Sequence, residues 1–261
     1  MMLAALLFTR LAGAEDFVDR VNRLRPSVVK LEGRDWLGNA RGSGTGFFIS
    51  GDGLLATNEH VAALAPETAI LADGTRRAVL GVLVQDEDSD LAVLRVEGDG
   101  YTPLLLGSTE GMARGEGIAV IGSPLGVEQV VTEGIVAGLM PQGYPDRQHG
   151  DAVAMGPLVQ VSAEISPGSS GSPVIDGAAR VVAVVQSGSA FGGHIAVDAV
   201  QLHALLARAP VSGELQALNS PTRQALHAGL VATALVVLSL GWAWISARRE
   251  RAARGAARRG R

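Results

Sequence analysis

Residues 164–174 read Glu-Ile-Ser-Pro-Gly-Ser-Ser-Gly-Ser-Pro-Val, and the reading of this stretch decides the rest. Ser170 lies in Gly168-Ser169-Ser170-Gly171. A serine on so tight a glycine loop can leave the N–H groups of Gly168 and Ser170 facing one space, as an oxyanion hole requires. Its hydroxyl alone is a poor nucleophile. It needs a general base, and the base needs a carboxylate to orient it. By composition Gly-Ser-Ser-Gly is an ordinary turn, so the stretch acquires chemical meaning only if the chain supplies both partners.

The histidines are His60, His149, His194, His203 and His227. Only His60 follows a strand-like run, Leu54 to Thr57, that ends in a polar turn, the place where a scaffold presents a side chain to a cleft. His149 falls in a Gly/Pro-rich loop, His203 in a closing helix and His227 beside an apolar segment, where a solvated side chain is the simpler reading; His194 stays open. For the carboxylate, Asp86-Glu87-Asp88-Ser89-Asp90 precedes Leu91-Ala92-Val93-Leu94. Asp86 and Asp88 read as a solvated acidic turn. Asp90 abuts a buried strand, so its carboxylate can be held inside against an imidazole N–H. The order along the chain is then His60, Asp90, Ser170.

The surroundings fit an all-β protein. The 34 glycines stand beside short Val, Ile and Leu runs, the pattern of strands joined by tight turns. About a dozen such runs fall between Ser27 and Val197 in two clusters, divided near Leu106 to Gly115, which suits two packed barrels. Glu15 to Arg25 has helical spacing and stops at Pro26; Asp198 to Arg208 reads as a closing helix with an aspartate at its start. There is no cysteine, which removes disulfides and thiolate metal sites and says nothing about compartment. Neither a phosphate-cradling glycine loop followed by lysine nor a His/Asp cluster at ligand spacing occurs, so no cofactor, metal or nucleotide is expected. The basic residues are arginines apart from Lys30; they read as codon usage, and no nucleic-acid partner is expected.

Gly42-Ser43-Gly44-Thr45-Gly46-Phe47, Thr57-Asn58-Glu59-His60-Val61, Ser89 to Leu94, Ile121 to Gly126, Thr132 to Val136 and Pro167-Gly168-Ser169-Ser170-Gly171 resemble, in this order, the protease domain of the HtrA (Deg) serine proteases. The resemblance covers about residues 27–207. It implies a chymotrypsin-like double β-barrel with a C-terminal helix, and a trypsin-like serine endopeptidase with His60 as base, Asp90 as its orienter and Ser170 as nucleophile. It places the oxyanion hole on the backbone of Gly168 and Ser170 and the substrate pocket at Gln186, Ser187, Gly188 and His194. It further implies polypeptide substrates cleaved after small or medium aliphatic residues, and a homotrimer as an assembly found among relatives. Departures are Ser169, where asparagine is usual before the nucleophile, Ser172, where a second glycine is usual, and Gly193-His194-Ile195-Ala196-Val197 near the pocket. Two other readings compete: a catalytically silent peptide-binding relative, and a membrane-anchored scaffold.

The family usually continues into a PDZ domain, whereas this sequence reads as a linker over 210–224 and a single transmembrane helix over 225–247. Ala228 to Ala247 carries no charge over twenty residues, which at about 1.5 Å per residue spans a hydrocarbon core of about 30 Å. Trp242 and Trp244 stand near its end, and an arginine-rich tail follows over 248–261. That tail carries seven Arg and one Glu, while residues 1–247 carry 15 basic and 25 acidic side chains, a net −10. The positive-inside tendency puts the tail in the cytoplasm and the protease domain, residues 15–209, outside it at the inner membrane. This topology favours reading residues 1–14 as an export signal, although Arg10 interrupts them and no basic residue precedes the apolar run.

Overall fold

The computed structural model describes residues 17–34, 39–123, 129–143, 156–187 and 194–218. The segments expected as export signal, membrane helix and arginine-rich tail lie outside these residues, and so does Gly188. Among the described residues no helix is long and apolar enough to cross a membrane.

Strands β1 (Val28–Arg34), β2 (Ala40–Phe48), β3 (Leu54–Thr57), β4 (Thr68–Ile70), β5 (Arg76–Asp86) and β6 (Leu91–Val96) form a closed barrel in the order β1-β2-β3-β6-β5-β4. Pairing of Lys30 with Ile70 and of Glu32 with Thr68 joins β1 to β4, so no edge is left unpaired. The second barrel uses β8 (Gly117–Gly122), β9 (Val130–Met140), β10 (Leu158–Val161), β11 (Pro173–Ile175), β12 (Arg180–Ser187) and β13 (His194–Asp198). They run in the order β11-β8-β9-β10-β13-β12, and β11 pairs with β12 to close the ring. The expectation of an all-β double barrel with a closing helix holds. One strand was not expected: β7 (Leu105–Leu106) lies at the edge of the stretch read as a divider and pairs in parallel with β12.

Three apolar cores explain why several strands read as unbroken hydrophobic runs instead of alternating ones. In a strand, neighbouring side chains point to opposite faces. On β6, Leu91 and Val93 enter a core shared by both barrels, while Ala92, Leu94 and Val96 fill the first barrel. Val197 and Ile195 of β13 join the shared core, and Ala196 between them enters the second barrel. Both faces of the seam strands are therefore dry, and each fully buried Leu or Val there stabilises the fold by roughly 1.5–3 kcal/mol.

Helix α1 (Phe17–Leu24) buries Val21 and Leu24, and ends in a 3-10 turn, Arg25–Ser27, that admits Pro26 at its start. Helix α3 (Ala199–Ala207) is capped by Asp198, whose Oδ1 accepts from Val200 N at 2.9 Å. Leu202 and Leu205 of α3 enter the shared core. Part of the stretch read as linker is integral to the fold. Val82 N donates to Gln216 O at 2.9 Å, Gln216 N donates to Val82 O at 2.7 Å, and Leu218 packs in the core of the first barrel. Gly81 permits this approach, since a Cβ there would stand 2.7 Å from the Gln216 carbonyl oxygen.

Candidate active site

The site is assembled where β3 and β6 of the first barrel meet the 166–172 turn of the second. Beyond Thr57 the chain passes Asn58, in extended conformation, and enters helix α2 (Glu59–Ala63), where a polar turn was expected. This one turn aims His60 across β6 at Asp90. His60 Nδ1 lies 2.9 Å from each carboxylate oxygen of Asp90, and the backbone N–H of His60 donates to Oδ1 at 3.0 Å. The Asp90 side chain is 11% exposed and that of His60 46%, so the carboxylate is enclosed and the imidazole keeps an open edge.

Asp90 adopts φ 51°, a left-handed conformation costing roughly 1–2 kcal/mol for a residue with a Cβ. Its neighbours hold it there. Asn58, fully buried, donates from Nδ2 to the Asp90 carbonyl at 3.0 Å, and Asp90 N donates to Glu87 O at 3.2 Å. Asp86, read from sequence as solvated, is the anchor of this turn. Its Oδ2 accepts from Ser89 Oγ at 2.6 Å, from Ser89 N at 3.2 Å, and from Arg208 of the chain after α3 at 3.3 Å. The Ser89 bond first, and then Arg208, holds the Asp86 carboxyl below the usual carboxylate range against the effect of burial. Glu59 moves the other way: burial first, then the charges of Asp90 and Glu87, push its carboxyl up, with His60 opposing.

The Ser170 turn is shaped by two glycines in left-handed conformation, Gly168 at φ 96° and Gly171 at φ 86°. Ser169 N donates to Ser166 O and Ser172 N to Ser169 O, each at 2.9 Å, while Gly171 N donates to Val185 O of β12 at 2.9 Å. Among the described residues the N–H groups of Gly168 and Ser170 have no acceptor. One residue of the first barrel grips this turn. Thr45 of β2, fully buried, donates from its N to Ser170 O at 2.8 Å and from its Oγ1 to Gly168 O at 2.8 Å. The same Oγ1 accepts from Ser123 N at 3.1 Å, and the Thr45 carbonyl accepts from Thr57 Oγ1 at 2.7 Å, three residues ahead of His60.

The structure thus joins His60 to Asp90 directly and brings Ser170 to the same seam through Thr45 and Thr57. The Ser170 hydroxyl makes no hydrogen bond to His60; such contacts are often long until substrate is bound. Of the expected pocket residues, Gln186 is buried near the end of β12 and Ser187 pairs with Ile195, which places His194 at the adjoining end of β13. His194 Nδ1 is buried without a partner. Sequence reasoning missed Thr45, Asn58 and Asp86 as parts of the site. The first two sit inside the quoted motifs, but their roles depend on partners more than 30 residues away.

Residues 44–184 match the trypsin-like peptidase domain family. Over 145 residues the chain is 37% identical to the probable periplasmic serine endoprotease DegP-like of Hahella chejuensis, covering 56% of this chain and 29% of that protein. Over 170 residues it is 36% identical to the serine protease PepD of Mycobacterium tuberculosis, covering 61% and 36%. It spans about a third of the length of these curated relatives. Among solved structures, Deg5 superposes with a TM-score of 0.60 at 28% identity, covering 75% of this chain and 94% of that one. The HtrA-type protease AlgW with tripeptide superposes with a TM-score of 0.62 at 26% identity, covering 74% and 63%. A matched segment that takes in His60, Asp90 and Ser170, on a double barrel shared with these proteases, places the chain in the trypsin-like peptidase domain family.

Proposed function

We propose that the chain is a serine endopeptidase in which Ser170 attacks the scissile carbonyl, His60 takes the hydroxyl proton and Asp90 orients the imidazole. The observation that carries this is the Asp90 carboxylate, enclosed at the seam and within 2.9 Å of His60 Nδ1 through both oxygens. That bond fixes Nδ1 as a donor and leaves Nε2 as the base. As the tetrahedral intermediate forms, its oxyanion is held by the N–H groups of Gly168 and Ser170. His60 then returns the proton to the leaving amine, and water hydrolyses the acyl-enzyme by the same route. Gln186, Ser187, Gly188 and His194 line the substrate pocket in this reading, and cleavage follows small or medium aliphatic residues.

The substrates are exposed or misfolded polypeptides outside the cytoplasm. Residues 1–14 serve as the export signal, residues 225–247 as the membrane tether through 210–224, and residues 248–261 as the cytoplasmic tail. The uncharged run and the seven arginines after it support this arrangement, and the printed name of the Hahella relative, a periplasmic endoprotease, agrees with it. A homotrimer is the proposed assembly. Labelling with a fluorophosphonate, Ser170→Ala as control, tests the chemistry: wild-type protein that stays unlabelled would make the chain a silent peptide binder. Protease added to spheroplasts tests the topology, and a digested epitope fused after Arg261 beside an intact catalytic domain would reverse it.

A further inference from the structure

We infer that Thr45 is the positioning residue of the oxyanion turn: its hydroxyl selects the conformation in which the Gly168 and Ser170 amides are free to bind charge. The inference rests on the reading of Ser170 as nucleophile. Its ground is the direction of the hydrogen bonds. Ser123 N can only donate, so Thr45 Oγ1 accepts there, at 3.1 Å, and its single proton is left for the Gly168 carbonyl at 2.8 Å. One hydroxyl in a dry seam thereby ties three segments: β2, the residue that follows β8, and the nucleophile turn. The Thr45 amide adds the bond to Ser170 O, so the carbonyls of both residues whose amides bind the oxyanion are held by one residue of the opposite barrel.

Without the hydroxyl, the Gly168 carbonyl loses its described donor, and its peptide is held from the other side alone, by Ser169 N on Ser166 O. Glycine rotates its flanking peptides at little cost, so the turn would be released into conformations in which the amides are no longer aligned. The backbone bond from Thr45 N would remain and keep Ser170 at the seam. The loss should therefore fall on the step in which charge develops and spare the binding of substrate.

The test compares Thr45→Val, which keeps the volume and removes the donor, with Thr45→Ser, which keeps the hydroxyl. A fluorogenic peptide ending in an aliphatic residue reports kcat and KM, and a fluorophosphonate reports the rate of Ser170 labelling. Thr45→Val should lower kcat and the labelling rate by about ten- to a hundredfold, short of the 10²–10³ cost of removing an oxyanion donor outright. KM should stay within about threefold, and Thr45→Ser should return kcat to within about threefold of wild type. Should Thr45→Val fail to fold, Thr45→Cys keeps the seam filled with a weak donor and should fall between the other two. Unchanged kcat and labelling in Thr45→Val, or a loss confined to KM, would overturn the role of Thr45 and leave Ser170 as nucleophile. Wild-type protein that never labels would overturn both.

Discussion

Gly171 closes on Thr45 so tightly that a Cβ on it would stand 2.0 Å from the Thr45 carbonyl oxygen and 2.5 Å from Thr57 Oγ1. Backbone oxygen cannot yield as a flexible side chain can, and φ 86° already disfavours any residue with a Cβ. Gly171→Ala should push the turn away from β2 and carry Ser170 with it. We expect kcat to fall by more than about a hundredfold, the cost of a displacement of about 1 Å at a reacting group. The melting temperature should drop as well. Retained activity in a folded Gly171→Ala protein would show that the turn is not pinned where we place it.

Ser172 is fully buried and its hydroxyl has no partner. It lies against Gly122, whose Cβ would stand 2.4 Å from Ser172 Oγ, so only a glycine leaves room for it. An unpaired buried hydroxyl costs about 1–3 kcal/mol. Ser172→Ala removes the unpaired group with little loss of volume, and should raise the melting temperature by about 2–4 °C per kcal/mol recovered in a domain of this size. Calorimetry decides the point, and a lower melting temperature would mean that the hydroxyl has a use.

Glu32 on β1 accepts from Lys30 at 2.7 Å and Arg76 at 3.0 Å. The Lys30 hydrogen bond, against burial and with the help of Arg76, brings its pKa down to about 2. A carboxyl whose folded pKa is depressed stabilises the fold above its unfolded value and loses that contribution as pH falls through the folded one. Glu32→Gln should therefore cost roughly 1–2 kcal/mol at pH 7, after allowance for its partial exposure. The gap to wild type should close as pH falls from about 4.5 to about 2. Urea titrations at several pH values test this, and a gap independent of pH would remove the ion pairs from the account.

Burial, and then the charges of Asp90 and Glu87, raise the pKa of Glu59, with His60 opposing, so its ionisation is opposed by the fold. A carboxyl whose folded pKa is raised costs stability above that pKa and costs nothing below its unfolded value, where it is protonated in both states. Glu59→Gln should therefore raise the melting temperature at pH 7, and the gain should vanish as pH falls below about 4. Melting curves at several pH values test this, and a lower melting temperature at pH 7 would contradict the direction of the shift.

The barrels and the His60–Asp90 pair were legible because both rest on short patterns: apolar runs broken by glycine, and polar residues at the ends of such runs. What escaped reading was set by distant partners. Asp86 looks solvated beside Glu87 and Asp88 until Ser89 folds back on it and Arg208 arrives from the other end of the domain. Helix α2 has too few residues to show a helical period. Strand β7 is two residues long and exists through its pairing with β12. Residues 210–218 look like a polar linker since Val211 stays exposed and only Leu215 and Leu218 find cover, too few to show a period.

That last segment has a consequence for the order in which the molecule is made. Synthesis runs from the N-terminus, yet the first barrel is finished by residues near the end of the described chain: Gln216 pairs with Val82, and Leu218 joins the core of that barrel. A nascent chain arrested before Gln216 would hold every described strand of both barrels and still leave the amide and carbonyl of Val82 unpaired and a leucine-sized gap in the core of the first barrel. Completion of the barrel that carries His60 therefore waits for the strip that leaves α3, and the nascent domain stays short of its final stability until that strip has emerged.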